Sequence, residues 1–395
     1  MYKNIAVICL FLMLTSCVNT VSIKNKKKGT LKADYQLVVR DEKRIWLDYE
    51  TAPQSSYIQL HKDKEGARIL TFINHHKNAI YFYDYEKGVY SRRIEYAKEG
   101  PNAILRLAGY FIKNMDSIYV YNRPLTEFVL TDSTGHVKQR ISLRDNRNDR
   151  KWPLYFPQYE FNTVNPLVEI QGKIYMTGAD PFGVADSLIH QFKFASCIDL
   201  KSNNVEFMHT YPEELYGSNV NWQDPYFTQA YRALLPDGKF IYSFPVSHDI
   251  YIASWHTNNY ETVYAGSNMA GTIRSIDNDP KRTSREVLIA HILRQDLYTA
   301  ILYDPYQKMY YRFMLQGIPG AGMNTQLKQK PIVVIIMDEQ FNYLGETVIG
   351  TAETWNWENS FVTSEGLVME YIDQDMDFEE QYMILKTFKV EKINK

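Results

Sequence analysis

The feature that most constrains this chain is a recurrent pair of residues. An apolar residue followed by Tyr, or by a second apolar residue, stands just after a turn signal at six places. These are Ile80-Tyr81 in "NAIYFYDYEKG", Ile118-Tyr119 in "DSIYVYN", Ile174-Tyr175 in "GKIYMTG", Ile241-Tyr242 in "GKFIYSF", Met309-Tyr310 in "QKMYYRF" and Val368-Met369 in "EGLVMEY". Their second members step by 38, 56, 67, 68 and 59 residues (81→119→175→242→310→369). Further strands follow several of the pairs, most plainly "EFVLTDSTGHVKQRISL", with Ser133-Thr134-Gly135 as the hairpin. Thirty-one Tyr, nineteen Phe and six Trp fit pleated, half-buried surfaces. Antiparallel units repeated at this spacing predict an all-β fold, a β-propeller whose strand edges are protected by radial packing. A set of β-sandwich domains is the competing arrangement.

Six units can be delimited, at residues 55–97, 104–143, 160–211, 226–265, 290–350 and 356–392. Long insertions leave seven blades possible. The last unit has only three good strands, while "YQLVVRD" at 35–41 lies outside the first. That strand is expected to complete the sixth unit, staple the chain ends together and cover a strand edge. Helical spacing is found only over Ser284 to Tyr298, "SREVLIAHILRQDLY", which reads equally as a strand.

The N-terminus carries an address. Lys3 precedes the apolar run Ile5 to Leu14, too short to span a bilayer, which needs about 20 apolar residues. Leu14-Thr15-Ser16-Cys17 resembles the bacterial lipobox, which implies a signal peptide over residues 1–16 and acylation at Cys17. Residues 17–33, with Lys24, Lys26, Lys27 and Lys28, are expected to be a lipidated polar tether, and residues 34–395 a single propeller domain. Val18 in place of Asp, and no acidic cluster after Cys17, favour the periplasmic side of the outer membrane. Cys197 is then the only cysteine of the folded part, so no internal disulfide is possible. In the alternating run "FKFASCIDL" it reads as a buried, inert thiol. A formal charge of −2 without a concentrated basic face argues against nucleic acid as a partner.

Together with the lipobox, "EGP" at Glu99-Gly100-Pro101 and "LYDPYQKMYYRF" at Leu302 to Phe313 resemble a family of Bacteroidetes lipoproteins. That family carries a domain of unknown function and is related to six-bladed, TolB-like propellers. The resemblance implies a fold and a lineage over most of the mature chain, and brings no catalytic residues.

Chemical motifs are sparse. There is no His-Glu-x-x-His, no Gly-x-Ser-x-Gly elbow and no phosphate-binding glycine loop. His75 and His76 are adjacent and point to opposite strand faces; His248 and His256 are eight apart, without a carboxylate partner in view. Asp373, Asp375 and Asp377 have the spacing of the first calcium-loop ligands, but Phe378 stands where Gly is needed and Ile384 where a bidentate Glu is needed. A solvated hairpin is the better reading, and neither a metal nor a cofactor is expected.

The aromatic residues are more informative. "KWPLYFPQYEF" holds Trp152 and Tyr155 before the third unit, "NWQDPYFTQAYR" holds Trp222, Tyr226 and Arg232 at the fourth, and "ETWNWENSF" holds Trp355 and Trp357 at the sixth. Blade-to-blade connections emerge on one face, so these residues are expected to converge there and stack on a glycan or peptide ligand, with Arg312 as a further polar contact. A lipid-anchored envelope protein binding a glycan, peptide or protein partner without catalysis is the first reading. A glycan-active lyase or hydrolase at the channel mouth is the second, with Asp224, Asp304, Arg232 and Arg312 as charged candidates.

Overall fold

The computed structural model describes residues 20–394 except 52–55, 145–149, 186, 218–221, 223, 236, 277–282, 323 and 373–381. Cys17 and the Asp373, Asp375 and Asp377 run lie outside the described residues. Six four-stranded antiparallel sheets follow one another as the blades of a propeller. From inner to outer strand, the first blade is Ser56–Lys62, Arg68–Asn74, Ala79–Asp84 and Val89–Glu95. The second begins at Leu107–Asn114, the third at Val168–Ile170, the fourth at Tyr231–Leu234 and the fifth at Leu297–Asp304. The sixth is Trp355–Thr363, Gly366–Tyr371 and Tyr382–Lys392, completed on the outside by Tyr35–Trp46. Blade count and closure are therefore as the repeat predicts, and the closing strand is longer than residues 35–41.

Short polar turns set the strand lengths. Asp84 accepts hydrogen bonds from Glu86 N (3.0 Å) and Lys87 N (3.0 Å), Asp304 from Tyr306 N (2.9 Å) and Gln307 N (2.9 Å), and Asp338 from Gln340 N (2.9 Å) and Asn342 N (2.8 Å). An Asp side chain that bonds its own downstream amides stabilises a turn locally, which is why Asp and Asn punctuate these strands. The closing strand pairs from Tyr35 opposite Lys392 to Trp46 opposite Tyr382. It also packs against the fifth blade so closely that a Cβ on Gly345 would lie 1.9 Å from the Tyr35 carbonyl oxygen. Any side chain at 345 would push this seam apart.

Three local expectations change. Ile80-Tyr81 lies on the third strand of its blade, whereas the other five pairs lie on the second, at the Leu70 to Phe72 position of the first blade. This explains the short first step of 38 residues (119−81). The Ser284 to Tyr298 segment is a helix, Arg285–Arg294, capped by Ser284 Oγ accepting from Val287 N, with the strand starting at Leu297. Residues of the expected tether are docked instead of solvated. Ser22–Ile23 pair with Ile273–Arg274, and Asn25 Nδ2 donates to Ser267 O (2.7 Å) and Ala270 O (3.0 Å). Gly29 N donates to Asn268 O (2.9 Å), and Lys27 lies over the Tyr264 ring. Backbone amides and one asparagine anchor this lysine-rich strap, a contribution that side-chain polarity does not reveal.

Candidate functional site

The inner strands surround a central channel, and four of them are bulged: between Ser56 and Gln59, Leu107 and Tyr110, Tyr298 and Ile301, and Asn356 and Ser360. A bulge re-aims side chains, and these fall at the channel wall. Tyr57, within the first bulge, has φ of 57°, in the left-handed region that a bulky residue rarely occupies.

A segment of the connection into the third blade fills the middle of the channel. Thr163 Oγ1 accepts from Ile58 N in the first blade (2.8 Å) and donates to Asn359 Oδ1 in the sixth (2.8 Å). Val164 N donates to Glu358 O (3.2 Å), and Leu167 N donates to the Tyr57 hydroxyl (2.9 Å). Residues leading to the third blade thus bond to the first and sixth, which places residues 159–167 across the axis. Phe161 holds one end, stacked on Tyr159 and set edge-on against Tyr121; a Cβ on Gly109 would lie 2.4 Å from its ring. The plug leaves a concavity on each side.

The first concavity opens where the inner strands begin. It encloses about 300 Å³ and is lined by Tyr226, Tyr231, Trp357, Glu160, Glu358 and Thr299, among others. Tyr226 is 48% exposed, while Trp357 and Tyr231 are largely buried and meet edge to face at 5.9 Å. Thr299 Oγ1 and Asn162 Oδ1, both on this wall, are buried without a hydrogen-bond partner. Such groups are costly unless something bonds to them. Glu160 pairs with Arg123. Crowding by protein, then the charge of Glu160, raises the pKa of Glu358.

The second concavity opens where the inner strands end. It encloses about 650 Å³ and includes Arg232, Gln59, Thr163 and Ser360 among mainly apolar residues. Arg232 is 5% exposed, and its one hydrogen bond among the described residues is Nη2 to Pro166 O (2.7 Å). Burial lowers its pKa to about 10, so it stays protonated at neutral pH.

The predicted residues therefore divide. Trp357, Tyr226 and Arg232 face the channel and the others do not, so the tryptophans do not converge as expected. Trp152 (4% exposed) stacks on Phe156 and packs edge-on against Phe207 on an outer strand. Tyr155 is half-buried beside it, its carbonyl accepting from Lys193 N (2.9 Å). Trp222 (2% exposed) donates from Nε1 to Leu215 O (3.1 Å) and lies on Phe227. Trp355 is buried against Tyr371 and Phe388 within the sixth blade. Long connections must cover their own apolar surface, and these rings do so. Arg312 is fully buried between the fourth and fifth blades, its guanidinium bonded to backbone carbonyls of the fourth. Asp224 caps a short helix by accepting from Tyr226 N (2.9 Å), and Asp304 is the turn residue named above.

Among the described residues no group of three or more His, Cys, Asp or Glu side chains is placed to hold a metal ion. His248 bonds instead to the Tyr298 hydroxyl (2.8 Å) and the Ile23 carbonyl (3.3 Å). Cys197 is a buried free thiol, its pKa pushed up to about 12 by burial, which leaves it inert. Sequence reasoning passes over Glu160, Glu358, Thr299 and Ser360. The raised density of polar residues in "WNWENS", inside an inner strand, is the one signal for two of them.

Residues 34–348 match the family model described as "Domain of unknown function (DUF4221)". The chain belongs to that family. Its fold is similar to the crystal structure of a DUF4221 member from Bacteroides vulgatus, with a TM-score of 0.76 and 18% identity, over 91% of this chain and 99% of that one. It is also similar to a putative exported protein from Bacteroides fragilis, with a TM-score of 0.53 and 9% identity, over 93% and 98% of the two chains. Among curated proteins none matches the chain.

Proposed function

We propose that this DUF4221 protein is a lipid-anchored, non-catalytic binding protein of the cell envelope, which takes a glycan or peptide at the mouth formed by Tyr226, Tyr231 and Trp357. The observation that carries the reading is the sharing of one concavity by these three rings with the unbonded Thr299 hydroxyl and Asn162 carbonyl oxygen. Aromatic faces supply stacking area, and the orphaned polar atoms supply hydrogen bonds that a ligand hydroxyl or amide completes. A volume of about 300 Å³ suits one sugar ring or one amino-acid side chain. The lipobox at Leu14 to Cys17 supports the anchor, on the periplasmic side of the outer membrane. Only four residues (22−17−1) separate Cys17 from the docked Ser22. At roughly 3.5 Å per residue the seam between the fourth and fifth blades then lies within about 18 Å of the bilayer.

Binding to an array of glycans and to a peptide library tests the reading. Tyr226→Ala should weaken the strongest hit by about 1–3 kcal/mol while leaving the melting temperature nearly unchanged, because Tyr226 is exposed. Equal binding by wild type and Tyr226→Ala would refute this site. A hydrolase is the second reading, favoured by one observation: two carboxylates, Glu160 and Glu358, share this mouth, and one has a raised pKa. Release of a reducing sugar from a bound glycan, lost in Glu358→Gln, would decide for it.

A further inference from the structure

The plug gives the channel a second concavity that the glycan or peptide reading does not use. Among the described residues, Arg232 is the only charged one on its wall. The guanidinium carries five N–H donors in a fixed fork. One of them reaches Pro166 O at 2.7 Å, and among the described residues no carboxylate lies within ion-pair distance. A buried charge without a counter-ion is expensive, and such groups are normally paired. On the same wall, Ser360 Oγ is buried without a hydrogen-bond partner. Beside Gln59, Thr163, Tyr303 and Tyr306 the wall is mainly apolar: Leu60, Val168, Leu234, Leu302, Phe361 and Val362 come from the inner strands of five different blades. Each of the six is only partly buried by the protein itself.

We propose that this concavity binds a monocarboxylate with an apolar body, its carboxylate paired with Arg232 and its hydrocarbon held by the collar of inner-strand side chains. Charge count selects the head group. A single carboxylate neutralises the one guanidinium, whereas a phosphate dianion would leave a net charge in apolar surroundings. The collar selects the body, because a bare anion would leave those side chains against water. At about 650 Å³ the space accepts a ligand of ten or so heavy atoms with room to spare. The protonated state of Arg232 at neutral pH is consistent with this role.

The test is calorimetric titration of the purified full chain with three probes at pH 7: 4-phenylbutyrate, its neutral analogue 4-phenylbutanamide, and inorganic phosphate. The carboxylate should bind, and the amide and phosphate should bind at least tenfold more weakly. Arg232→Gln should lose at least tenfold toward 4-phenylbutyrate, and Arg232→Lys should lose less. Tyr226→Ala should leave this binding unchanged, which separates the site from the mouth on the other side of the plug. Were Arg232→Gln not to fold, the carboxylate and amide pair on the wild-type protein still decides. Equal affinity for acid and amide, phosphate binding as tight as the carboxylate, or no 4-phenylbutyrate binding at millimolar concentration would each overturn the proposal.

Discussion

Arg232, on the inner strand of the fourth blade, and Arg312, on the second strand of the fifth, are both buried guanidinium groups, and they have opposite surroundings. Arg312 donates through Nε to Ser243 Oγ (3.0 Å), through Nη1 to His248 O and Ala265 O (both 3.1 Å), and through Nη2 to Ser247 O (2.9 Å) and Asp249 O (3.2 Å). Its planar face lies 4.0 Å from the centre of the Tyr298 ring. All five donors are used, and the acceptors belong to the fourth blade and the connection that leaves it, while the arginine belongs to the fifth. It is a rivet between blades. Arg232 makes one such bond and otherwise faces a concavity. The difference teaches how to tell a structural cation from a receptive one in this fold: burial is nearly equal, and hydrogen-bond saturation is not.

Mutating the two in parallel is the strongest way to break that distinction. Arg312→Gln should destabilise by about 3–5 kcal/mol, since several buried carbonyls lose their donors at once. Urea melts of the two variants check it, and a loss below about 1 kcal/mol for Arg312→Gln would remove the rivet. Next in size is the plug that keeps the two concavities apart. Thr163→Val keeps the shape but deletes the hydroxyl that joins the first and sixth blades, and should cost about 1–3 kcal/mol. Hydrogen exchange at the Ile58 amide should quicken in that variant.

Acid should act on the layer beneath Arg232. Tyr242 pairs across the sheet with Arg232, and its hydroxyl bonds His209 Nδ1 (2.6 Å). Burial holds the His209 pKa down at about 4, against about 6.5 for a free imidazole. Between those values the unfolded chain takes up a proton that the folded chain refuses, so stability falls as pH drops through this window. From pH 7 to pH 5 the loss from this residue is up to about 2 kcal/mol. Melts at pH 7, 6 and 5 should show it, and His209→Gln should flatten the slope. The smallest effect closes the series. Arg232→Gln should cost no more than about 1.5 kcal/mol, the worth of one hydrogen bond, because among the described residues the group makes no other.

The ring is legible in the sequence because its causes are local. Turn residues and alternating apolar strands recur in each blade, and the missing fourth strand of the last unit points to residues 35–41, the first part of the observed strand. The uneven first step marks where the signature pair sits on a different strand. The site is less legible because its causes are not local. "AYRALL" and "YYRFML" are equally plausible strands, and only the packing of other blades decides that one arginine meets five acceptors and the other meets one. Trp222 and Trp357 both stand in aromatic, polar-rich stretches, yet a helix and a connection bury the first while a bulge turns the second to the channel. In sequence, residues 160–167 fall at the start of the third delimited unit, and the role of 159–167 as a plug depends on partners in the first and sixth blades, far away in the chain.

The most direct test of the account is a crystal structure of the protein with 4-phenylbutyrate. The account predicts carboxylate oxygens on the Arg232 guanidinium, the phenyl ring within the collar of inner-strand side chains, and the plug in place between the two mouths. A carboxylate of this chain paired with Arg232, or the ligand bound elsewhere with Arg232 unchanged, would contradict it.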